Sequence, residues 1–172
     1  PCKTFDECFL KASNEEDSKI VIPESNRITG NIGIEYLIFK YQLNIYSEYF
    51  QKIEHNLLGQ QDAKITDIKN VFSHAQALSQ CSIFIKKNNL NEHVRADTAG
   101  SAKMISLNKE THEAAIASSL SAETYGLKII KKNIENETGN LTRFLVMGKN
   151  ITQPEFSKKK YITSFLFKLK SK

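Results

Sequence analysis

Strand and helix patterns alternate along this chain, and the alternation restricts its fold more than any other feature. Short apolar or β-branched runs of strand length occur at 19–22, 70–72, 93–95, 114–117 and 127–131. Apolar residues recur at helical spacing in the segments between them, including 75–87, 98–107 and 120–125. Such alternation predicts an α/β architecture, in which polar residues at strand ends and helix starts gather in a crevice.

Local signals indicate where several of these elements begin and end. Thr4 precedes a helical pattern and is a plausible N-cap. Pro23 is expected to end the first strand, and Gly126 to end the helix 120–125. Residues 43–58 are rich in aromatic and branched side chains, which favours one long strand.

Composition argues against several classes of protein. The 172 residues are 40% hydrophobic and 25% charged, which suits a globular core and not a disordered chain. The apolar runs are far shorter than the roughly 20 residues that a membrane span needs, and Pro1-Cys2-Lys3 begins no signal peptide. We therefore expect a cytoplasmic protein with no membrane partner.

The cysteines and histidines do not indicate a metal site. Cys2, Cys8 and Cys81 are odd in number and lack CxxC spacing, so neither a disulfide framework nor a thiolate zinc site is supported. The 4 histidines are spread singly along the chain. We expect free thiols, no metal, and a Cys81 that is buried and not a nucleophile.

The types and positions of the basic residues are more informative than the net charge. The net charge of +5 does not predict a nucleic-acid partner, because the lysines are scattered and their densest run, 158–160, lies in a predicted linker. Among 24 basic residues the arginines are Arg27, Arg95 and Arg143, each in or beside a polar stretch. A guanidinium grips a carboxylate with two parallel bonds, as lysine cannot. Structural salt bridges or chance placement are the alternatives.

Four polar stretches, at 23–30, 73–81, 97–100 and 140–144, resemble the catalytic domain of prephenate dehydratase. The segment 140–144 is similar to the family's Asn-x-Thr-Arg-Phe signature, and 73–81 to its Ser-His-x-Gln-Ala-Leu-x-Gln-Cys segment. The resemblance implies a two-lobed fold of the type II periplasmic-binding-protein kind with a cleft between the lobes. It also implies an enzyme, a carbon–oxygen lyase that converts prephenate to phenylpyruvate without a cofactor.

The resemblance also implies how the chain is divided. The catalytic domain is expected at 1–149, with lobe 1 at about 1–42 and lobe 2 at about 43–149. A linker at 150–160 and the first strand of a truncated ACT domain at 161–172 are expected to follow. The first lobe is expected to lack the family's opening strand. Phenylalanine as an effector and a homo-oligomeric state are expected only of the full-length protein.

Thr142 is the candidate for the hydroxyl that donates to the leaving oxygen, with an ordinary strand residue as the alternative. Asn26, Ser73 and Gln80 are expected to supply neutral donors and acceptors around the substrate. Ser73 and Gln80 lie seven residues apart, which is two turns of one helix face if the helix starts at once. Ser73 as a simple N-cap is the alternative, and both roles can coexist.

Six more residues are expected to bind the substrate: Arg143, Asn140, Ser25, Arg27, Thr98 and His74. Arg143 could instead anchor the lobes, because successive strand residues point to opposite faces. His74 could act as a general acid or be a structural histidine beside a helix start. Thr98, with Asp97, could cap the next helix, whose amides would receive a carboxylate.

Two alternatives to a prephenate-specific enzyme stay open, another substrate and a non-catalytic function. The family's Pro-x-Glu-Asn-Ser-x-x-Gly pattern has Ser25 in place of glutamate and Arg27 in place of serine here, although Glu24 is adjacent. These changes bear on the choice between prephenate and its amino-acid analogue arogenate. A non-catalytic two-lobed protein that binds a small molecule is the alternative from another class.

Overall fold

The computed structural model describes residues 2–150 of the chain. No helix within this part is long and apolar enough to cross a membrane. The elements in chain order are α1 (Phe5–Asn14), β1 (Lys19–Asn26), β2 (Gly30–Asn31), α2 (Glu35–Tyr41), β3 (Asn44–Lys52), β4 (Asn56–Gly59), β5 (Asn70–His74), α3 (Ala75–Gln80), α4 (Ser82–Lys87), β6 (Asn91–Arg95), α5 (Thr98–Asn108), β7 (Glu113–Ala117), α6 (Ser119–Tyr125), β8 (Lys128–Lys131) and β9 (Leu141–Gly148). The predicted α/β class is confirmed.

The described chain forms two compact units, each with its own sheet. The first unit comprises 2–51 and 141–150, and the second comprises 52–140. The predicted lobe boundary near residue 42 is wrong, because both β3 and the late strand β9 belong to the first sheet. The predicted ACT strand at 161–172 and all but the first residue of the predicted linker lie outside the described residues.

The first sheet has the strand order β2-β1-β9-β3. β1 and β9 run antiparallel in a long register, from Lys19 opposite Gly148 to Asn26 opposite Thr142. The prediction that Pro23 ends the strand is wrong, since β1 continues to Asn26. The register shifts immediately after Pro23, and such a bulge tolerates a residue that has no N–H to donate.

Helices α1 and α2 contribute with the first sheet to one apolar core. Its fully or almost fully buried members include Phe9, Leu37, Ile22 and Met147. The predicted N-cap of α1 is confirmed, since the Thr4 hydroxyl accepts the Glu7 N–H at 3.1 Å. Burial of such side chains contributes about 1.5–3 kcal/mol each and holds the helices on the sheet.

The second sheet has the order β6-β5-β7-β4-β8, in which β5 is parallel to both β6 and β7. Successive residues of its inner strands enter different cores: Ala114 and Ile116 pack with α3 and α4, whereas Ala115 and Ala117 pack with α5 and α6. The sheet is therefore covered on both faces, which explains why its inner strands are continuously apolar.

Two predicted elements of the middle region are shorter than expected. The predicted strand 43–58 is two strands in different sheets, β3 and β4, separated at 53–55. The predicted helix 75–87 is interrupted at Cys81, between α3 and α4. Gly126 ends α6 in a left-handed conformation at φ 65°, as predicted.

Candidate functional site

The polar residues predicted at 23–30 and 142–143 meet in the first unit. The Thr142 side chain is only 8% exposed, and the Asn26 Nδ2 donates to the Thr142 Oγ1 at 2.8 Å. Because the hydroxyl oxygen is the acceptor in this bond, the hydroxyl proton is not used in it. The contact joins the ends of two neighbouring strands, Asn26 and Thr142 being cross-strand partners.

The turn that follows β1 fixes which way the Asn26 amide faces. Its Oδ1 accepts the backbone N–H of Ile28 at 2.9 Å and of Thr29 at 3.1 Å. With the oxygen engaged by the turn, the NH2 group is left to face Thr142. An N–H that donates to a hydroxyl oxygen also makes that hydroxyl a stronger donor.

Arg143 lies in an ion-pair cluster. Its Nε donates to Glu48 Oε2 at 2.8 Å, and its Nη1 donates to Glu24 Oε2 at 3.3 Å. Ser25 Oγ donates to the same Glu24 oxygen at 2.6 Å. These contacts join β9 to β1 and β3 within the first unit, so they do not test an anchor of the lobes. Substrate binding by Arg143 and Ser25 stays a prediction.

Arg27 and Asn140 lie next to these residues in the sequence, Arg27 directly after Asn26 and Asn140 two residues before Thr142. Arg27 is exposed, and its backbone N–H donates to the Leu141 carbonyl at 2.9 Å. Asn140 belongs to the second unit and is 3% exposed; its carbonyl accepts the Ile53 N–H at 2.8 Å. The Asn140 Oδ1 is buried without a hydrogen-bond partner in the described part of the chain. A buried acceptor of this kind could receive a donor from a ligand.

Ser73 lies in β5 and not at a helix start. Its side chain is 0% exposed, and its Oγ donates to the Ile116 carbonyl at 2.6 Å. The reading of Ser73 as an N-cap is wrong, because β5 continues to His74 and α3 begins at Ala75. The expectation that Ser73 and Gln80 share one helix face is wrong for the same reason. A catalytic role for Ser73 stays a prediction.

Helices α3 and α5 begin near the predicted positions, and each has a capping side chain. His74 is the N-cap of α3, and its Nδ1 accepts the Gln76 N–H at 3.3 Å, which bears out the structural alternative. Asp97 caps α5 by accepting the Gly100 N–H at 2.5 Å, and Thr98 is the first residue of that helix. Substrate binding by His74 and Thr98 stays a prediction.

Gln80 makes a buried contact that the sequence pattern did not indicate. Its Oε1 lies 2.8 Å from Nε2 of His55, whose side chain is 8% exposed. The Gln80 Nε2 is buried and has no hydrogen-bond partner within residues 2–150. The signal available in the sequence was a histidine directly before the apolar strand β4, where burial requires a polar partner.

Cys81 and Arg95 have structural surroundings. Cys81 is 0% exposed, and burial, with the nearby Glu135 charge, raises the pKa of its thiol to about 12. Cys81 is therefore a buried core residue and not a nucleophile, as expected. Arg95 places its guanidinium 5.4 Å from the Phe72 ring centre, a cation–π contact. Within the described residues, no group of three or more His, Cys, Asp or Glu is arranged to hold a metal ion.

A sequence model described as prephenate dehydratase matches residues 1–152. The chain belongs to the prephenate dehydratase family. A prephenate dehydratase from Methanocaldococcus jannaschii is 34% identical over 171 residues, covering 98% of this chain and 61% of the relative. The solved structure of prephenate dehydratase from Staphylococcus aureus has a TM-score of 0.78 at 31% identity, covering 88% of this chain and 56% of that one.

A plant relative broadens the range of family members. Arogenate dehydratase/prephenate dehydratase 2, chloroplastic, from Arabidopsis thaliana is 34% identical over 170 residues. That match covers 98% of this chain but 44% of the relative. The chain thus spans less than half the length of this relative and less than two thirds of the other two.

Proposed function

We propose that this protein catalyses the decarboxylating dehydration of prephenate to phenylpyruvate in the biosynthesis of phenylalanine. Membership of the prephenate dehydratase family supports the reaction class. The observation that carries the proposal is the part-buried Asn26–Thr142 contact of 2.8 Å, which presents an oriented hydroxyl at the ends of two paired strands. A non-catalytic binding protein has no comparable need for such a hydroxyl.

The reaction places three demands on the protein. The bond between the ring and a carboxylate carbon breaks, its electron pair moves into the ring, and the ring carbon–oxygen bond breaks as hydroxide departs. With one proton taken up, the products are phenylpyruvate, carbon dioxide and water. Aromatisation drives these steps, so the protein has to orient the dianion, stabilise the departing hydroxyl and keep water away. No cofactor is required by this chemistry.

Thr142 would donate its hydroxyl proton in a hydrogen bond to the departing oxygen. A threonine hydroxyl is a weak acid, and Asn26 would strengthen it by donating to the hydroxyl oxygen. The backbone amides of Ile28 and Thr29 hold the Asn26 oxygen and thereby keep its NH2 group directed at Thr142. The polarising partner in this proposal is therefore Asn26 and not Arg143, which is engaged by carboxylates.

Arogenate is the second candidate substrate, because the Arabidopsis relative is named for both activities. Arogenate carries an ammonium group where prephenate has a keto oxygen. The changed positions Ser25 and Arg27 are the ones that we expect to bear on this choice. Turnover of both substrates by one preparation, compared as kcat/KM, decides between them.

The test of the proposal is Thr142→Val, which removes the hydroxyl and keeps the branched shape. We expect it to lower kcat on prephenate by about 100-fold or more, as loss of a donor to a developing negative charge does elsewhere. Phenylpyruvate formation followed by absorbance gives the rate. Thr142→Ser, which restores a hydroxyl, should recover a large part of it.

The matched control is Thr66→Ala, which removes an exposed hydroxyl from the second unit. Its kcat should equal that of the unaltered chain. A Thr142→Val rate within about threefold of the unaltered chain would mean that Thr142 does not assist the leaving group. Absence of turnover of prephenate and arogenate by the unaltered chain would contradict the proposed function as a whole.

A further inference from the structure

The contact between His55 and Gln80 determines how the glutamine amide is oriented. The two side chains meet at 2.8 Å, between the His55 Nε2 and the Gln80 Oε1. The Gln80 oxygen faces the ring nitrogen and can only accept, so in this arrangement the Nε2 of His55 carries the proton. The histidine is 8% exposed, and water therefore competes little for this bond. The protonated ring nitrogen of His55 and the direction of the Gln80 amide are therefore coupled.

The other end of the same amide has no partner. The Gln80 Nε2 is buried and makes no hydrogen bond to any residue in the described part of the chain. A buried donor without a partner is unfavourable and is rare in folded proteins. An oxygen of a bound ligand would satisfy it. With the amide reversed, an acceptor would occupy this position and would repel the oxygens of an anion.

The backbone around Gln80 is held by the loop that also holds His55. The Gln80 carbonyl accepts the Asn136 N–H at 2.6 Å, and the His55 carbonyl accepts the Ile134 N–H at 2.9 Å. The His55 N–H in turn donates to Glu135 Oε2 at 3.1 Å. Both partners are therefore fixed by residues 134–136, so their side chains meet without a flexible backbone on either side.

We propose that His55 is a positioning residue: its Nε2–H holds the Gln80 Oε1 so that the Gln80 Nε2 donates to an oxygen of the anionic substrate. This inference rests on the proposed function and on the expectation, from the family resemblance, that Gln80 contacts the substrate. His55 itself does not touch the substrate. It sets which end of the Gln80 amide is presented, and so selects a negatively charged group.

A double-mutant cycle on the complete chain tests the coupling. His55→Leu should lower kcat/KM on prephenate about tenfold or more, and Gln80→Ala by at least as much. In the double variant, His55→Leu should add less than about twofold to the effect of Gln80→Ala, because it acts only through that side chain. A purely structural role would instead lower kcat/KM in proportion to the loss of folded protein, which a thermal melt of each variant measures.

Two further variants separate positioning from general damage. His55→Gln places an amide N–H near the former ring Nε2 and should recover most of the activity that His55→Leu loses. His112→Leu is the matched control, since His112 is a half-exposed histidine whose Nδ1 lies 3.4 Å from Glu110 Oε2. Its kcat/KM should be unchanged. Equal loss in His55→Gln and His55→Leu, or a His55→Leu rate within about threefold of the unaltered chain, would overturn the inference.

An NMR measurement, which does not depend on enzyme activity, tests the role of His55 separately from the proposed function. Long-range ¹H–¹⁵N spectra of the chain should show His55 with its proton on Nε2, and His55→Leu should shift the Gln80 side-chain amide signals. A His55 whose Nε2 lacks a proton would overturn the inference whatever the activity. If the unaltered chain converts neither substrate, the proposed function fails, and these spectra alone then decide the role of His55.

Discussion

At the scale of single residues, the side-chain amides of Asn26 and Gln80 are oriented in the same way. In each, a hydrogen bond to the oxygen sets the direction of the NH2 group. Asn26 uses its oxygen to bind the turn after β1, and its NH2 group faces Thr142. Gln80 uses its oxygen to bind His55, and its NH2 group is left without a partner in the described chain. In each case a neutral side chain is made into a donor of fixed direction, which suits the recognition of an anion.

Asn26→Asp tests this reading with almost no change in shape. The turn amides can still donate to one carboxylate oxygen, but the other would accept the Thr142 proton and withdraw it from the substrate. We expect kcat on prephenate to fall by about 100-fold while the melting temperature changes little. Steady-state rates and a thermal melt provide the two readings.

The matched control is Asn150→Asp, at an exposed asparagine of the same unit whose Nδ2 donates to the Glu16 carbonyl. Its kcat should match that of the unaltered chain. Full activity in Asn26→Asp would show that the Asn26 N–H does not polarise the hydroxyl.

The roles of residues could be predicted from sequence only where a short motif carries them. Thr142 and Asn26 stood out because hydroxyl and amide groups are concentrated around them, and they do meet. His55 did not stand out, since its partner Gln80 is 25 residues away and is reached only through the fold. The alternative of Ser73 as a cap is wrong because the sequence does not indicate that β5 extends two residues further.

At the scale of elements, α1 and α2 are linked by a contact that depends on pH. Lys40 Nζ lies 2.7 Å from Asp6 Oδ1, and the Tyr41 hydroxyl donates to Asp6 Oδ2 at 3.0 Å. These two hydrogen bonds, the lysine's being the larger, lower the pKa of the Asp6 carboxyl below 3.8. Because the folded pKa is the lower one, the stabilisation is complete above pH about 4 and is lost as the pH falls through the folded pKa.

Asp6→Asn should therefore destabilise the first unit at neutral pH and not in strong acid. The effect should be small, since the pair is exposed and water weakens it. Thermal melts at pH 7 should place the variant below the unaltered chain, and the gap should shrink as the pH falls through the folded pKa of Asp6. Asp17→Asn, an exposed carboxylate after α1, serves as the control. A gap that stays constant down to pH 2 would exclude the carboxylate as its source.

Elements with local signals were predicted well, and elements that depend on distant partners were not. The Thr4 cap and the Gly126 stop act within one turn of a helix, so sequence alone suffices. The continuation of β1 past Pro23 depends on pairing with β9, more than a hundred residues away. The separation of β3 from β4 likewise reflects their pairing in different sheets, which no local pattern encodes.

At the scale of the whole molecule, the first unit is discontinuous in sequence and the second is continuous. The strand β9 lies between β1 and β3 and contributes Leu145 and Met147 to the core of the first unit. The second unit needs no residue from outside 52–140 to complete its sheet. The sequence suggested two lobes through the family resemblance, but it did not indicate that the chain returns to the first.

Two shortened chains test this organisation. The fragment 52–140 should fold alone and melt cooperatively, because its sheet is complete and covered on both faces. A chain ending at residue 140 should keep the second unit and lose the first, since the first sheet is then without an inner strand. Hydrogen exchange should accordingly protect amides of β5 and β7 and not those of β1.

A chain ending at residue 150 is the control, because it keeps β9. It should restore the protection of the β1 amides. Protection of β1 in the chain that ends at residue 140 would show that the first unit folds without its late strand, contrary to the expectation.

The late position of β9 also fixes an order of events on the ribosome. Synthesis delivers α1 to β3 before the second unit, yet β1 and β3 cannot be joined in one sheet until β9, residues 141–148, has left the exit tunnel. The inserted second unit is by then complete and free to fold. The segment from α1 to β3 is therefore made before the second unit but secured after it, and its strands are exposed to chaperones and proteases in the interval.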